Sequence, residues 1–248
     1  MLLDEVGLVL DMAEISIVIP AHNEERFLPK CLAAFRRAEA YAGISIEVIV
    51  VLNRCSDGTA KLAEKAGAVL VHEDEANLSK IRNAGAAVAS APVLLTCDAD
   101  SVPHERVLAV ILRRLQSGKV VGGGCLTLPE RWSLGIVCSV GAVMPYLIWH
   151  GVSFGLFWCR TEDFRAIGGF NEALASIEDL DFAKRLKALG KQRGQRFGTV
   201  LRAPLVTSCR KFDQFGDWYL FLNPRFVWRV FRGTDRAAAD QFWYEVGR

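Results

Sequence analysis

Short apolar runs alternate with amphipathic helical segments through the first hundred residues, and that order restricts the chain to an α/β sheet flanked by helices. Ile15 to Pro20 (ISIVIP) is a β-branched run closed by proline. Phe27, Leu28, Cys31, Leu32 and Phe35 then recur at helical spacing. Ile46 to Leu52 (IEVIVVL) reads as a second strand, Ala68 to His72 as a third and Val93 to Cys97 as a fourth. A helix beginning at Asp57 and stopped by Gly67, and another from Leu78 to Ala89, separate them. Such alternation predicts a mostly parallel sheet in which ligands bind beyond the carboxyl ends of the strands.

Polar residues sit where that geometry asks for them. His22, Asn23 and Glu24 follow the first strand, Asn53 and Asp57 the second, and Asp98 and Asp100 the fourth. Asp98 and Asp100 end a buried run abruptly, and paired acids at such a position call for a cation to offset their repulsion. Mg²⁺ or Mn²⁺ does so while holding a diphosphate in its remaining positions. Taken alone, D-x-D reads first as a solvated turn. The convergence of the other strand-end loops on the same crevice favours a ligand site.

The second half is less regular. Pro103 and His104 open a helix carrying Val107, Val110, Ile111, Arg114 and Leu115. Lys119 to Leu126 reads as a strand interrupted by Gly122, Gly123 and Gly124, a run that suits either close approach of a sugar or a bulge. Phe154 to Cys159 is another strand, Ile167 to Phe170 a turn, and Glu178 to Leu189 a helix ending at Gly190. Gln195 to Leu201 and Leu205 to Thr207 are weaker strands. Two helical patterns follow, rich in Trp218, Tyr219, Phe221, Phe226, Trp228, Phe231, Trp243 and Tyr244.

With 248 residues, 51% of them hydrophobic, the chain can build one sizeable domain. A net charge of +2 gives no basic excess pointing to nucleic acid. Seven cysteines without a C-x-x-C pair read as free thiols in a reducing, cytoplasmic setting. The first residues lack a basic n-region, so no secretory signal is expected. From Ser133 to Cys159 the one side chain able to carry charge is His150. That length suffices for a bilayer, but Gly135, Gly141, Pro145, Gly151 and Gly155 interrupt it, which favours core or a surface-bound segment. Arg225, Arg229, Arg232 and Arg236 lie among the C-terminal aromatics. This basic, aromatic surface either packs on the sheet or rests on anionic lipid, as at the inner face of a membrane.

Read together, these motifs resemble family 2 glycosyltransferases, of the GT-A fold and the nucleotide-diphospho-sugar transferase superfamily. The ordered series is Val18-Ile19-Pro20-Ala21-His22-Asn23-Glu24-Glu25, Asn53 to Thr59 (NRCSDGT), Arg82-Asn83-Ala84-Gly85, Asp98-Ala99-Asp100, Gly168-Gly169-Phe170 and Glu178-Asp179. The resemblance covers roughly residues 14 to 190, and an ordered series is far more specific than any one motif. It implies a three-layer αβα sandwich with a central, mostly parallel but mixed sheet. A GT-A domain would occupy residues 1–201, with a nucleotide-sugar half at 14–130 and an acceptor half at 131–201. Residues 202–248 would form a helical extension packed on the same domain.

The resemblance also implies roles. Pro20, Ala21 and Glu24 would line base and ribose, with Asn53 and Asp57 beside the base. Arg82 would approach the diphosphate. Asp100 would ligate a divalent metal, Mn or Mg, joined there by Asp98, which touches ribose or a bound water; Ala99 between them would line the donor site. Arg210 and Lys211 would close over the diphosphate. Asp179 would be the general base of an inverting hexosyl transfer, with Glu178 placing sugar hydroxyls and Asp181 in reserve. The donor would be a nucleotide-diphospho-sugar, UDP before GDP, and the acceptor a hydroxyl, lipid-linked if the chain contacts a membrane. Two departures stand out: relatives often carry aspartate near Asn53, and a late histidine on the metal, whereas no histidine follows His150. Two other readings are a sugar-1-phosphate nucleotidyltransferase, which wants a glycine-rich basic loop where this chain has A-H-N-E-E-R, and a non-catalytic nucleotide-sugar binding module.

Overall fold

A computed structural model describes residues 12–150, 153, 155–174 and 176–231. Strands β1 (Ile15–Ala21), β2 (Ile46–Leu52), β3 (Val69–His72) and β4 (Val93–Cys97) form where the apolar runs predict them, separated by α1 (Leu28–Ala42), α2 (Thr59–Lys65) and α3 (Leu78–Val88). Then come β5 (Ser101–Pro103), α4 (Val107–Gln116), β6 (Val120–Pro129), α5 (Leu134–His150), β7 (Leu156–Arg160), α6 (Thr161–Ala166) and α7 (Glu178–Gln192). The described part of the chain ends with β8 (Arg196–Thr207), α8 (Arg210–Phe215), α9 (Tyr219–Leu222) and α10 (Pro224–Phe231).

The strands form one sheet in the order β3-β2-β1-β4-β7-β6-β8-β5. Strands β1, β2, β3, β4, β6 and β8 run one way; β7, between β4 and β6, and β5, at the edge, run the other. The sheet is therefore mixed and mostly parallel, as expected. β1, β2 and β4 are predominantly apolar because helices cover both faces. Strand alternation sorts the side chains into two layers. Ile17, Ile19 and Leu95 pack with Phe35 of α1 and Ile111 of α4. Val18, Ile49 and Leu94 pack with Ile81 of α3 and Phe182 and Leu186 of α7. A Cβ at Gly85 would sit 2.4 Å from Val18 Cγ1, so α3 lies directly on β1.

Several local expectations change. The glycine run in β6 serves packing between strands: a Cβ on Gly123 would fall 1.6 Å from the Gly198 carbonyl oxygen, and the β6–β8 register shifts between Val120 and Gly122. The two weak strands at 195–207 are one strand, β8, so the sheet continues past residue 201 where the domain boundary was expected. The apolar stretch from Ser133 becomes α5, which buries Ile136 and Ser139 but exposes Leu134 and Val137. Among the described residues no helix is long and apolar enough to cross a membrane. All seven cysteines are free thiols. Phe154, Arg232, Arg236, Trp243 and Tyr244 lie outside the described residues.

Candidate active site

The turn between β4 and β5 carries Asp98 and Asp100, with Ser101 N–H donating to the Asp98 carbonyl at 3.2 Å. β5 pairs antiparallel with the end of β8, setting Ser101 opposite Thr207. That pairing brings residues more than a hundred positions later to the carboxylates. Ser208 Oγ donates to Asp100 Oδ2 at 2.7 Å. Arg210 Nε lies 3.1 Å from the same oxygen, as an ion pair without an aligned hydrogen bond. Arg210 Nη1 donates to both carboxylate oxygens of buried Glu24, at 2.9 and 3.0 Å. The guanidinium thus ties the loop after β1 to the β4–β5 turn.

Arg82 of α3 is the second hub. It is buried, with Nη1 2.6 Å from Asp179 Oδ1 and 3.2 Å from Glu178 Oε1, and Nη2 3.0 Å from Asp98 Oδ1. Its guanidinium stands 5.0 Å from the centre of the Phe170 ring, within cation–π range. The resemblance put Arg82 against the diphosphate. Its two terminal nitrogens are held by three carboxylates, and it joins the D-x-D turn to the acidic pair.

The pair itself opens α7. Ile177, just before it, has φ 57°. A β-branched residue in the left-handed region costs on the order of 1–3 kcal/mol and tends to mark a site where the surroundings over-determine the backbone. Burial pushes the Glu178 carboxyl up to about 7, with the Asp179 charge adding and Arg82 opposing. Burial also raises Asp179, against the pull of Arg82. Asp181 pairs with Arg185 on its own helix at 2.7 Å, and Arg185 also donates to the Ile167 and Gly169 carbonyls. The reserve base is therefore committed to the 167–169 turn. Lys211 is drawn down to about 8, chiefly by burial, against the attraction of Asp100. Glu24, Asp98, Asp100, Glu178 and Asp179 together outnumber the cations Arg82, Arg210 and Lys211, so the ionised cluster carries excess negative charge.

The Glu178 shift has a measurable sign. A carboxyl at about 7 in the fold and 4.5 when unfolded contributes stability that is complete below pH 4.5 and lost as pH rises through about 7. Glu178→Gln should flatten that part of the stability curve, read as urea midpoints against pH; an unchanged slope would contradict the assignment.

Comparison with known proteins points the same way as the motifs. Residues 16–129, just under half of the chain, match the pattern of Glycosyl transferase family 2. Glycosyltransferase AglE of Haloferax volcanii is 30% identical over 100 residues, 38% of this chain and 33% of AglE. The chain thus matches about a third of that relative, and 44% of a similar uncharacterised mycobacterial glycosyltransferase. Among solved structures, S. aureus TarS 1–349 with UDP-GlcNAc superposes at TM-score 0.60 with 16% identity, over 94% of this chain and 71% of that one. The mannosyltransferase PcManGT of Pyrobaculum calidifontis, with GDP-Man and Mn2+, gives 0.61 with 16% identity, over 86% and 64%. At such identity these likenesses speak to the fold, the GT-A αβα sandwich.

Against the family pattern, the remaining expected residues divide. Pro20 and Ala21 close β1, and Ala99 is buried within the D-x-D turn. Asn53 is fully buried. Its amide donates to the carbonyls of Glu73 and Glu75, and its oxygen accepts from Arg54. An ionised aspartate could not make those two donations. Asp57 accepts from Thr59 N, Thr59 Oγ1 and Glu25 N, holding its own loop and the start of α2, and these bonds keep its carboxyl below the usual range despite some burial. Both side chains are thus engaged within the fold. A separate cavity of about 520 Å³, lined by Pro92, Arg160 and Arg165 among others, lies at the opposite end of β4 from the D-x-D turn.

Among the described residues no three His, Cys, Asp or Glu side chains are grouped to hold a metal. The chain still suits a hard divalent cation, because Asp100 stands in a cluster with excess negative charge, and such ions commonly take one or two carboxylates plus substrate phosphates and water. Sequence reasoning left three residues without a role: Ser208, Phe170 and Arg131. Arg131, after β6, grips Asp213 at 2.7 Å and Asp217 at 2.8 Å and so anchors α8 and α9. Its signal is long-range pairing, which no local pattern contains.

Proposed function

We propose that the chain transfers a sugar from a nucleotide-diphospho-sugar, UDP-linked in the first instance, to an acceptor hydroxyl with inversion at the anomeric carbon. The observation that carries this reading is the bridge through Arg82, which joins Asp98 of the D-x-D turn to the acidic pair of α7. TarS and PcManGT, crystallised with UDP-GlcNAc and with GDP-Man and Mn2+, support the donor class. Residues 14–130 would carry the donor side, and the acceptor side would be built from residues 131 onward, through β8.

In the reaction the acceptor oxygen attacks the anomeric carbon, and its proton passes to a carboxylate oxygen of Asp179. The bond from that carbon to the diphosphate breaks, and the electron pair leaves with the nucleoside diphosphate. Arg210 and Lys211 balance the charge that grows on the leaving group, and Glu178 holds sugar hydroxyls. A divalent cation at Asp100, with Asp98 nearby, would supply further electrostatic stabilisation of the diphosphate.

The test is calorimetric titration of UDP- and GDP-sugars with and without Mn²⁺. The chain should bind at least one in a metal-dependent way, and Asp100→Ala should lose at least about tenfold in affinity, as expected for a charge-assisted ligand. Undiminished metal-dependent binding by Asp100→Ala would overturn the metal assignment. Absence of binding to the whole panel would overturn the donor class.

A further inference from the structure

Helices α5 and α9 leave apolar side chains uncovered on a shared face. Trp132, Leu134 and Val137 are 59, 70 and 48% exposed, and Trp218, Phe221 and Leu222 are 41, 49 and 68% exposed. The two groups are held together: a Cβ at Gly135 would sit 2.8 Å from Asp217 Cβ, Ser139 Oγ donates to the Asp217 carbonyl at 2.8 Å, and Arg131 clamps the Asp217 carboxylate from the other side. This patch is thus fixed to the fold at a buried polar anchor. Scattered apolar residues on a surface need no explanation, whereas a contiguous patch with aromatic members does.

The apolar segments themselves carry no acid, and the acids at their edge, Asp213 and Asp217, are engaged by Arg131. Neither 132–155 nor 218–231 contains an aspartate or glutamate, and α10 carries Arg225 and Arg229, both exposed and one helical turn apart. A two-fold contact between copies of this chain would set the same patch against itself and bring like charges together with no acid in either segment to receive them. An anionic surface with an apolar interior answers both features: arginines meet the headgroups, and tryptophan, phenylalanine and leucine enter the boundary below them. No described helix is long and apolar enough to cross a membrane, and the contact is one of a surface face.

We propose that the α5–α9–α10 face docks on an anionic membrane surface. The inference is independent of the glycosyl-transfer reading, because none of these residues belongs to the donor site. It is tested by flotation of the full chain with phosphatidylcholine vesicles, with and without phosphatidylglycerol. Binding to the anionic vesicles should exceed binding to neutral ones at least tenfold and weaken with salt. Arg225→Glu with Arg229→Glu should remove that preference, and Phe221→Asp with Leu222→Asp should lower binding to both. All four positions are exposed, so unchanged circular dichroism will show that the variants fold. Equal flotation with neutral and anionic vesicles, or a dimer in light scattering with no flotation, would overturn the proposal.

Discussion

Asp179→Asn should bind a sugar nucleotide within about twofold of the unchanged chain yet hydrolyse or transfer it about 10²–10⁴-fold more slowly, the range a positioned general base contributes. The asparagine oxygen can still accept from Arg82, which lies 2.6 Å from Asp179 Oδ1, so the bridge and the fold should survive. What is lost is the oxygen that takes the proton. Asp179 retains 23% side-chain exposure at the mouth of the cluster, enough for an acceptor or a water to reach it. The measurement is steady-state release of nucleoside diphosphate with water as acceptor, beside calorimetric affinity for the donor. Asp181→Asn provides the contrast: its carboxylate is paired with Arg185, and turnover should change little. A wild-type rate in Asp179→Asn, or an equal loss in Asp181→Asn, would remove Asp179 from the role of base.

The acidic pair and the D-x-D turn were legible in the sequence because each follows a strong local signal. β1, β2 and β4 are apolar runs broken by a single polar residue each, Ser16, Glu47 and Thr96, and a parallel sheet covered on both faces favours such runs. β5 was not legible: three residues ending in Pro103 have no strand pattern of their own, and the pairing with β8 creates the strand. α6, six residues long, is equally short on periodicity. The same distinction runs through the site. Asp98, Asp100, Glu178 and Asp179 announce themselves by position, but the direction in which Arg82 points is settled by carboxylates 16, 96 and 97 residues away. Arg210 and Glu24, 186 residues apart, meet because β5 and β8 deliver one to the other. Asn53 illustrates the converse. A family pattern reads it as a ligand contact, and only the two backbone carbonyls in front of its amide reveal that it secures the 73–77 loop.

Arg82→Met should cost stability as well as activity. The methionine keeps apolar volume beside Phe170 and removes the charge, leaving Asp98, Glu178 and Asp179 facing one another across a space the guanidinium now fills. Removing one partner from a buried ion pair costs about 3–5 kcal/mol, because the remaining charge is uncompensated. The partial exposure of Asp98 permits some hydration, so the lower part of that range is expected. The loss should depend on pH. Arg82 holds the carboxyl values of Glu178 and Asp179 down against burial, so without it both rise further and the carboxylates can relieve their repulsion by taking up protons. The variant should therefore lie closer to the unchanged chain at pH 5 than at pH 8, read as the difference in urea midpoint. Arg82→Lys should rescue only in part, since one ammonium group cannot span Asp98 on one side and the acidic pair on the other as a planar fork does. A deficit that is independent of pH, or full rescue by lysine, would show that Arg82 acts through packing against Phe170 and not as the charge bridge between the donor turn and the base.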